Sequence, residues 1–214
     1  MITRKFSPES LMMSHAHEAG ECHGSVKPPL YQTSTFEFES AEEGKRQFEI
    51  AYGLKEPSEY HVPNPIYSRL TNPTQEVLEK RLTLWDNAED CAVFASGMAA
   101  ISTVFLEFLN PGDVLLYSAP VYGGTDHFIH GVLPGHGVNV VEFDHRDSEV
   151  GITRRLMETG KANRLAMVFI ETPANPTNAL IDIEMCARIA RRFSTDEHET
   201  LTVVDNTYMG PVWQ

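Results

Sequence analysis

Positive charge is scarce in this 214-residue sequence. Its 17 lysines and arginines stand against 30 aspartates and glutamates, which gives a formal net charge of −13 at pH 7. Long-range repulsion from such a surface opposes binding to the polyanionic backbone of DNA or RNA and to an acidic membrane face. We therefore expect no nucleic-acid partner and no membrane partner.

Cysteines are also few, and long apolar runs are missing. Cys22, Cys91 and Cys186 lie far apart and form no C-x-x-C motif, and an odd, sparse set of this kind favours a reducing compartment over a disulfide framework. No run of about 18 apolar residues occurs, and the N-terminus has no apolar signal-peptide core. Hydrophobic residues nevertheless make up 42% of the chain, which is enough for a substantial core. Together with the cysteine pattern and the missing signal peptide, this predicts a cytoplasmic globular protein.

The first part of the chain predicts an arm, one helix and an irregular loop. Residues 1–35 mix Ser, His, Gly and Pro without periodicity, which is typical of an extended arm. Ser40 is followed by Glu43 in a capping-box pattern, which predicts the start of a helix. Prolines are then frequent between residues 54 and 74, and they predict a long loop of the kind that is often functional.

A metal site is not expected, although potential ligands lie close together in the arm. These are His15, His17, Cys22 and His23. Flexible polar arms often carry such residues, and nothing in the pattern fixes a tetrahedral geometry.

From residue 73 onward, helix and strand signals alternate. Residues 73–87 have apolar positions at helical spacing and predict an amphipathic helix. Short continuous apolar runs, separated by helical patterns, follow at residues 91–96, 113–124, 138–144, 165–171 and 200–206. This alternation indicates an α/β fold with a mostly parallel sheet flanked by helices. Polar groups at the carboxyl ends of its strands are then expected to form one shared ligand site. They are Ser96–Gly97, Tyr122–Gly124, Glu171–Asn175 and Asp205.

The groups at these strand ends suit a flat, phosphorylated heteroaromatic ligand. Ser96 and Gly97 precede a helix, whose N-terminus and backbone N–H groups can hold a phosphate. The ring of Tyr122, beside two glycines, can lie against a planar ligand, and Asp205 ends the last apolar run with a carboxylate. The sequence contains neither a G-x-G-x-x-G motif nor a P-loop, so it does not indicate a nucleotide ligand. Pyridoxal phosphate (PLP) fits this set of groups.

Five motifs also occur in an order that resembles a known family: YSRLTNPT, SGMAA, VYGGT, ETPANPT and VVDNTY. They are similar to the Cys/Met-metabolism family of fold-type I PLP enzymes, which includes cystathionine γ-synthase, cystathionine γ-lyase, methionine γ-lyase and homoserine sulfhydrylases. The resemblance spans roughly residues 28–214. It implies a fold-type I PLP-transferase-like α/β fold, with residues 1–65 as N-terminal arm, helix and loop and residues 66–214 as the front part of the PLP-binding large domain.

The resemblance assigns roles to individual residues. It implies that Asp205 pairs with the pyridine nitrogen of PLP and that Tyr122 stacks on the ring and assists proton or leaving-group chemistry, so these two are the expected catalytic residues. An ion pair at about 4 Å is worth roughly 4 kcal/mol at an effective dielectric of 20. Such a pair would raise the pKa of the pyridine nitrogen by about three units and keep it protonated. The other implied cofactor contacts are Ser96, Gly97 and Met98 at the phosphate, Asn175 near the 3′-oxygen, Thr207 close to the ring, and Tyr67 and Arg69 at the phosphate of a neighbouring subunit.

The resemblance also implies a lysine that the sequence does not supply. In this family the lysine that holds the cofactor lies in an [ST]-x-x-K motif shortly after VVDNTY, and a C-terminal domain supplies an arginine for the substrate carboxylate. The chain ends at Gln214, before both features. We therefore expect the front half of a longer enzyme. The alternative from another class is a truncated, non-catalytic protein that binds the cofactor or a partner subunit.

The expected activity is γ-elimination from cystathionine or a related amino acid, in a homo-oligomer built from dimers that share active sites, with a dimer of dimers as the complete assembly. The alternative is γ-replacement on an activated homoserine ester, as in cystathionine γ-synthase or homoserine sulfhydrylase. Gly124 stands where methionine γ-lyases typically carry a cysteine, which argues against a standard member of that group. Residues 49–64 depart from the family pattern, and we expect this insertion to reshape the substrate entrance.

Overall fold

A computed structural model describes residues 6–56 and 65–213 of the chain. The chain divides into two compact units, Met1–Val93 and Phe94–Gln214. Residues 57–64, which belong to the proline-rich loop and to the insertion at 49–64, lie outside the described residues, so the role predicted for the insertion stays a prediction. The domain boundary predicted between residues 65 and 66 also stays a prediction.

The first unit contains short helical segments joined by irregular chain. They are α1 (Pro8–Leu11), the 3-10 helix η1 (Ala19–Cys22), α2 (Ala41–Ala51) and α3 (Pro73–Asp86). The predicted start of α2 is confirmed, because the Ser40 hydroxyl accepts the N–H of Glu43 at 3.1 Å. The Glu43 carboxylate in turn accepts the N–H of Glu39 at 2.8 Å, one residue before the position that a standard capping box uses.

The predicted amphipathic segment at residues 73–87 is also helical. Asn72 is the N-cap of α3, since its side chain accepts the N–H of Thr74 at 2.9 Å, and Pro73 occupies the first helical position, where a missing N–H costs nothing. Asn87 ends the helix in a left-handed conformation, which is a common way to stop an α-helix.

The second unit is a parallel sheet with helices on both faces. Its elements are α4 (Gly97–Phe108), β1 (Val114–Ala119), α5 (Gly123–Gly131), η2 (Leu133–His136), β2 (Asn139–Asp144), α6 (Glu149–Glu158), η3 (Ala162–Arg164), β3 (Leu165–Glu171), α7 (Ile183–Phe193), β4 (Leu201–Asp205) and α8 (Gly210–Trp213). The strand order is β2-β1-β3-β4, and every neighbouring pair is parallel. The predicted α/β fold with a mostly parallel sheet is therefore confirmed.

Two hydrophobic clusters lie on opposite faces of this sheet. On one face Val168 and Ile170 of β3 pack with Ile152 of α6 and Ile189 of α7. On the other face the neighbouring strand residues, among them Met167 and Phe169, pack with Phe105 of α4 and Ile129 of α5. All residues of β3 are buried. Burial on both faces explains why its sequence is continuously apolar rather than alternating.

The strand predicted at residues 91–96 is wrong. These residues have no regular secondary structure, and Phe94, Ala95 and Ser96 are exposed. A strand requires a neighbour whose N–H and C=O groups pair with its own, and no described strand lies beside this segment. The apolar composition therefore predicted an element that lacks a partner in the part of the chain the structure covers.

None of the helices described is long and apolar enough to cross a membrane.

Candidate functional site

A cavity of about 320 Å³ lies where the sheet meets the first turns of α4 and α5. This volume is at the lower end of the range usual for small-molecule sites. The carboxyl ends of β3 and β4 contribute to it, as expected for an open parallel sheet. Its lining residues all belong to the second unit: Ser96, Gly97, Met98, Ile101, Tyr122, Glu171, Asn175, Asp205, Thr207 and Tyr208.

One end of the cavity can hold an anion. Ser96 is the N-cap of α4, and its hydroxyl oxygen accepts the N–H of Ala99 at 3.1 Å. The N–H groups of Gly97 and Met98 have no acceptor among the described residues. Free N–H groups and the positive end of the helix dipole together favour a phosphate at this position.

The cavity wall also carries a carboxylate with one free oxygen. Asp205 Oδ1 accepts two hydrogen bonds from Thr207, from its N–H at 3.1 Å and from its hydroxyl at 2.5 Å. No described residue donates to Oδ2, and no described cationic side chain pairs with Asp205. A carboxylate oxygen that is free on a cavity wall can accept a charge-assisted hydrogen bond, so this group fits the protonated ring nitrogen of PLP.

The Tyr122 ring also lines the cavity and depends on a glycine for its position. Its side chain is 47% exposed, and its residue is the N-cap of α5. A Cβ added at Gly124 would lie 2.7 Å from Cε1 of Tyr122 and 3.1 Å from Sδ of Met98, whereas a Cβ at Gly123 would meet nothing within 4 Å. Gly124 thus leaves room for the aromatic ring itself.

Glu171 lines the cavity, as expected of the polar residues at the strand ends, but its sequence position assigned it no individual role. It is only 4% exposed, ends β3 and pairs in register with Asp205. Burial raises the pKa of its carboxyl above the usual value; the N–H bonds from Tyr122 and Asn175 oppose this shift, and the charge of Asp205 adds to it. A glutamate at the end of a continuous apolar strand was the available signal, the same one that identified Asp205.

Two further lining residues, Ile101 and Tyr208, were not predicted. Ile101 lies one helical turn after Gly97, so helical periodicity could have found it. The remaining predicted residues, Tyr67 and Arg69, belong to the first unit, where the Arg69 guanidinium carbon lies 5.6 Å from the centre of the Tyr67 ring. Their role at the phosphate of a neighbouring subunit stays a prediction.

Comparison with known proteins gives consistent results. The sequence model of a family described as "Cys/Met metabolism PLP-dependent enzyme" matches residues 9–214. The chain is 36% identical over 200 residues to an L-methionine gamma-lyase of Treponema denticola, covering 94% of this chain and 45% of that protein. It is 38% identical over 148 residues to the cystathionine gamma-lyase of Homo sapiens, covering 69% of this chain and 34% of that protein.

A solved structure from Campylobacter jejuni is also similar. It is described as an O-acetylhomoserine (thiol)-lyase and carries N′-pyridoxyl-lysine-5′-monophosphate. The TM-score is 0.78 at 28% sequence identity, and the match covers 97% of this chain and 46% of that one. The chain thus spans less than half the length of each of these relatives.

Proposed function

We infer that this chain, which belongs to the Cys/Met metabolism family of PLP-dependent enzymes, forms the front part of the cofactor-binding domain of a γ-lyase that acts on cystathionine or a related amino acid. One observation carries the proposal: a single cavity combines an open helix N-terminus, an aromatic ring and a carboxylate with a free oxygen. These groups match the phosphate, the ring and the ring nitrogen of PLP, which supplies an electron sink for the reaction when it is bound.

Most of the polar groups of the cavity have a role in this proposal. The N–H groups of Gly97 and Met98, with the Ser96 hydroxyl, bind the phosphate. Asp205 holds a proton on the ring nitrogen through Oδ2, and Thr207 orients that carboxylate by occupying Oδ1. The Tyr122 ring covers the cofactor and excludes water from one face, and its hydroxyl serves proton or leaving-group chemistry.

The rest of the cofactor site completes the proposal. Asn175 contacts the ring's 3′-oxygen. No lysine and no arginine lines the cavity among the described residues; the family resemblance assigns the cofactor lysine and the substrate-carboxylate arginine to positions after the VVDNTY motif in a longer protein.

Steady-state kinetics on the full-length protein tests the activity. We expect a higher kcat/KM for cystathionine or an activated homoserine ester than for methionine, because Gly124 replaces a cysteine typical of methionine γ-lyases. A clear preference for methionine, the substrate named for the Treponema denticola relative, contradicts this. Formation of an α-keto acid and ammonia identifies elimination.

The same assay distinguishes the alternatives. A thioether product formed with an added thiol identifies the γ-replacement alternative, which the similarity to the Campylobacter jejuni protein favours. PLP binding without turnover of any of these substrates identifies the non-catalytic alternative.

We also propose a cytoplasmic homo-oligomer, a dimer with shared active sites that assembles as a dimer of dimers. Its support is the family resemblance of the Tyr67–Arg69 motif, since the planar guanidinium of arginine suits a phosphate. Arg69→Ala and Asp205→Asn homodimers should both be nearly inactive. Hybrids made by co-refolding should recover part of the activity, because some of them collect both defects in one site. Hybrids as inactive as their parents would show that Arg69 serves its own chain.

A further inference from the structure

The carboxylate of Glu171 joins two segments that meet at the cavity. Its Oε2 accepts the N–H of Tyr122, 49 residues earlier in the chain, at 2.6 Å. Its Oε1 accepts the N–H of Asn175, in the loop after β3, at 2.7 Å. Each oxygen therefore binds one backbone donor, and each donor belongs to a residue whose side chain is on the cavity wall.

This bridge requires a carboxylate rather than any polar side chain. Two N–H donors converge on one side chain, so both of its terminal atoms must accept. A glutamine of the same size would offer one oxygen and would turn its NH₂ group towards the second N–H. Because Glu171 is only 4% exposed, water has little room to replace the missing acceptor.

The bridge also sets the start of α5. Tyr122 is the N-cap of this helix, and its side chain makes no capping hydrogen bond. The charge of Glu171 instead lies at the positive end of the α5 dipole, where an anion is favourable. Glu171 is itself fixed, because its N–H donates to the Ser118 hydroxyl at 3.1 Å and its strand pairs in register with Asp205.

From these contacts we propose that Glu171 is a positioning residue of the cofactor site. Its buried carboxylate fixes the backbones of Tyr122 and Asn175 and thereby places the tyrosine ring and the asparagine amide on the cavity wall. This role rests on the proposed PLP site and deepens it, because it explains how residues from two separate loops keep one geometry. Glu171 acts through these two residues and needs no contact with the cofactor.

The first test uses the unaltered protein. Amide hydrogen exchange followed by NMR should show the N–H groups of Tyr122 and Asn175 protected, because both donate to a buried acceptor. Fast exchange of both groups in the folded protein overturns the proposal. This measurement needs neither cofactor nor substitution, so its result is independent of whether the proposed function is correct.

The second test measures PLP affinity by absorbance titration. Glu171→Gln should weaken binding by about ten- to a hundredfold, the size found when the hydrogen-bonded support of a metal ligand is removed. Glu142→Gln is a control for the chemical change alone, since the exposed Glu142 carboxylate accepts a hydrogen bond from the Tyr117 hydroxyl at 2.8 Å but does not line the cavity. The control should bind PLP as the parent does.

A double-mutant comparison then separates positioning from general destabilisation. If Glu171 acts through Tyr122 and Asn175, Glu171→Gln should have almost no further effect on PLP affinity once both are alanine. A full, additive loss in that background overturns the proposal. Failure of the parent protein to bind PLP would contradict the proposed function, and the exchange experiment would still decide the structural part.

Discussion

Replacing Gly124 by alanine tests whether the position of the Tyr122 ring controls cofactor binding. Gly123 and Gly124 are the first two residues of α5. A methyl group at Gly124 would lie 2.7 Å from Cε1 of Tyr122, so the ring must move, whereas one at Gly123 meets nothing within 4 Å. Gly123→Ala is therefore a matched control with the same chemical change, in the same helix, one residue away.

The expected effect on stability is small. Alanine in place of glycine in a helix stabilises by roughly 0.5–1 kcal/mol. The ring that must move is 47% exposed, so it can rotate towards solvent without breaking the core. We expect the free energy of unfolding of Gly124→Ala to stay within about 1 kcal/mol of the parent value.

The expected effect on PLP binding is larger. Losing an aromatic stacking contact costs about 0.5–1.5 kcal/mol, which corresponds to a roughly two- to twelvefold weaker affinity. Absorbance titration of the cofactor-free, full-length protein measures this affinity, and thermal unfolding followed by circular dichroism checks the fold. Equal PLP affinity in Gly124→Ala, Gly123→Ala and the parent would refute the reasoning, since the ring would then have moved without consequence.

Three further predictions concern individual groups. Asp205→Asn should keep the fold but lower kcat by about a thousandfold, the equivalent of three pKa units at the ring nitrogen; near-normal turnover would remove Asp205 from the cofactor site. Burial raises the pKa of the Cys186 thiol to about 12, so at pH 8 only about one thiol in ten thousand is ionised. Titration with a thiol reagent should therefore detect Cys186 only after unfolding, in contrast to the less buried Cys22 and Cys91. The pKa of Glu171 is raised in the folded state, so the parent's free energy of unfolding should fall relative to that of Glu171→Gln as the pH rises from about 4.5 through the raised pKa. Chemical denaturation at a series of pH values measures this difference. A difference that grows in the parent's favour with pH would contradict a raised pKa.

The sequence predicts the sheet well because its signal is local. Each of β1 to β4 is a short, mainly apolar run, and burial on both faces makes the runs of the central strands β1 and β3 nearly continuous. The rule that ligands collect at the carboxyl ends of parallel strands predicts that Tyr122 and Asp205 approach one cavity, and both line it. Ser96 reaches the same cavity from a helix N-terminus, without the strand that was expected before it.

What the sequence could not predict depends on contacts between distant residues. The run at 91–96 has the composition of a strand, but pairing requires a neighbour that composition does not reveal. The bond between Glu171 and the N–H of Tyr122 joins positions 49 residues apart, and no local pattern announces it. The place of Gly124 beneath the Tyr122 ring is likewise a property of packing, since both glycines of the VYGGT motif have the same chemical character.

The two carboxylates of the cavity end strands that differ in how many neighbouring strands they pair with. β3, which ends at Glu171, has a neighbour on each side, whereas β4, which ends at Asp205, has a partner on one side only among the described strands. A strand with a free edge opens locally at a lower free energy than a central one, and its unpaired backbone groups can accept another strand. Asp205, the acid proposed to face the ring nitrogen, therefore lies on the strand that opens more easily. A strand that paired with the free edge of β4 in the full-length protein would make β4 harder to open and would hold Asp205 more rigidly.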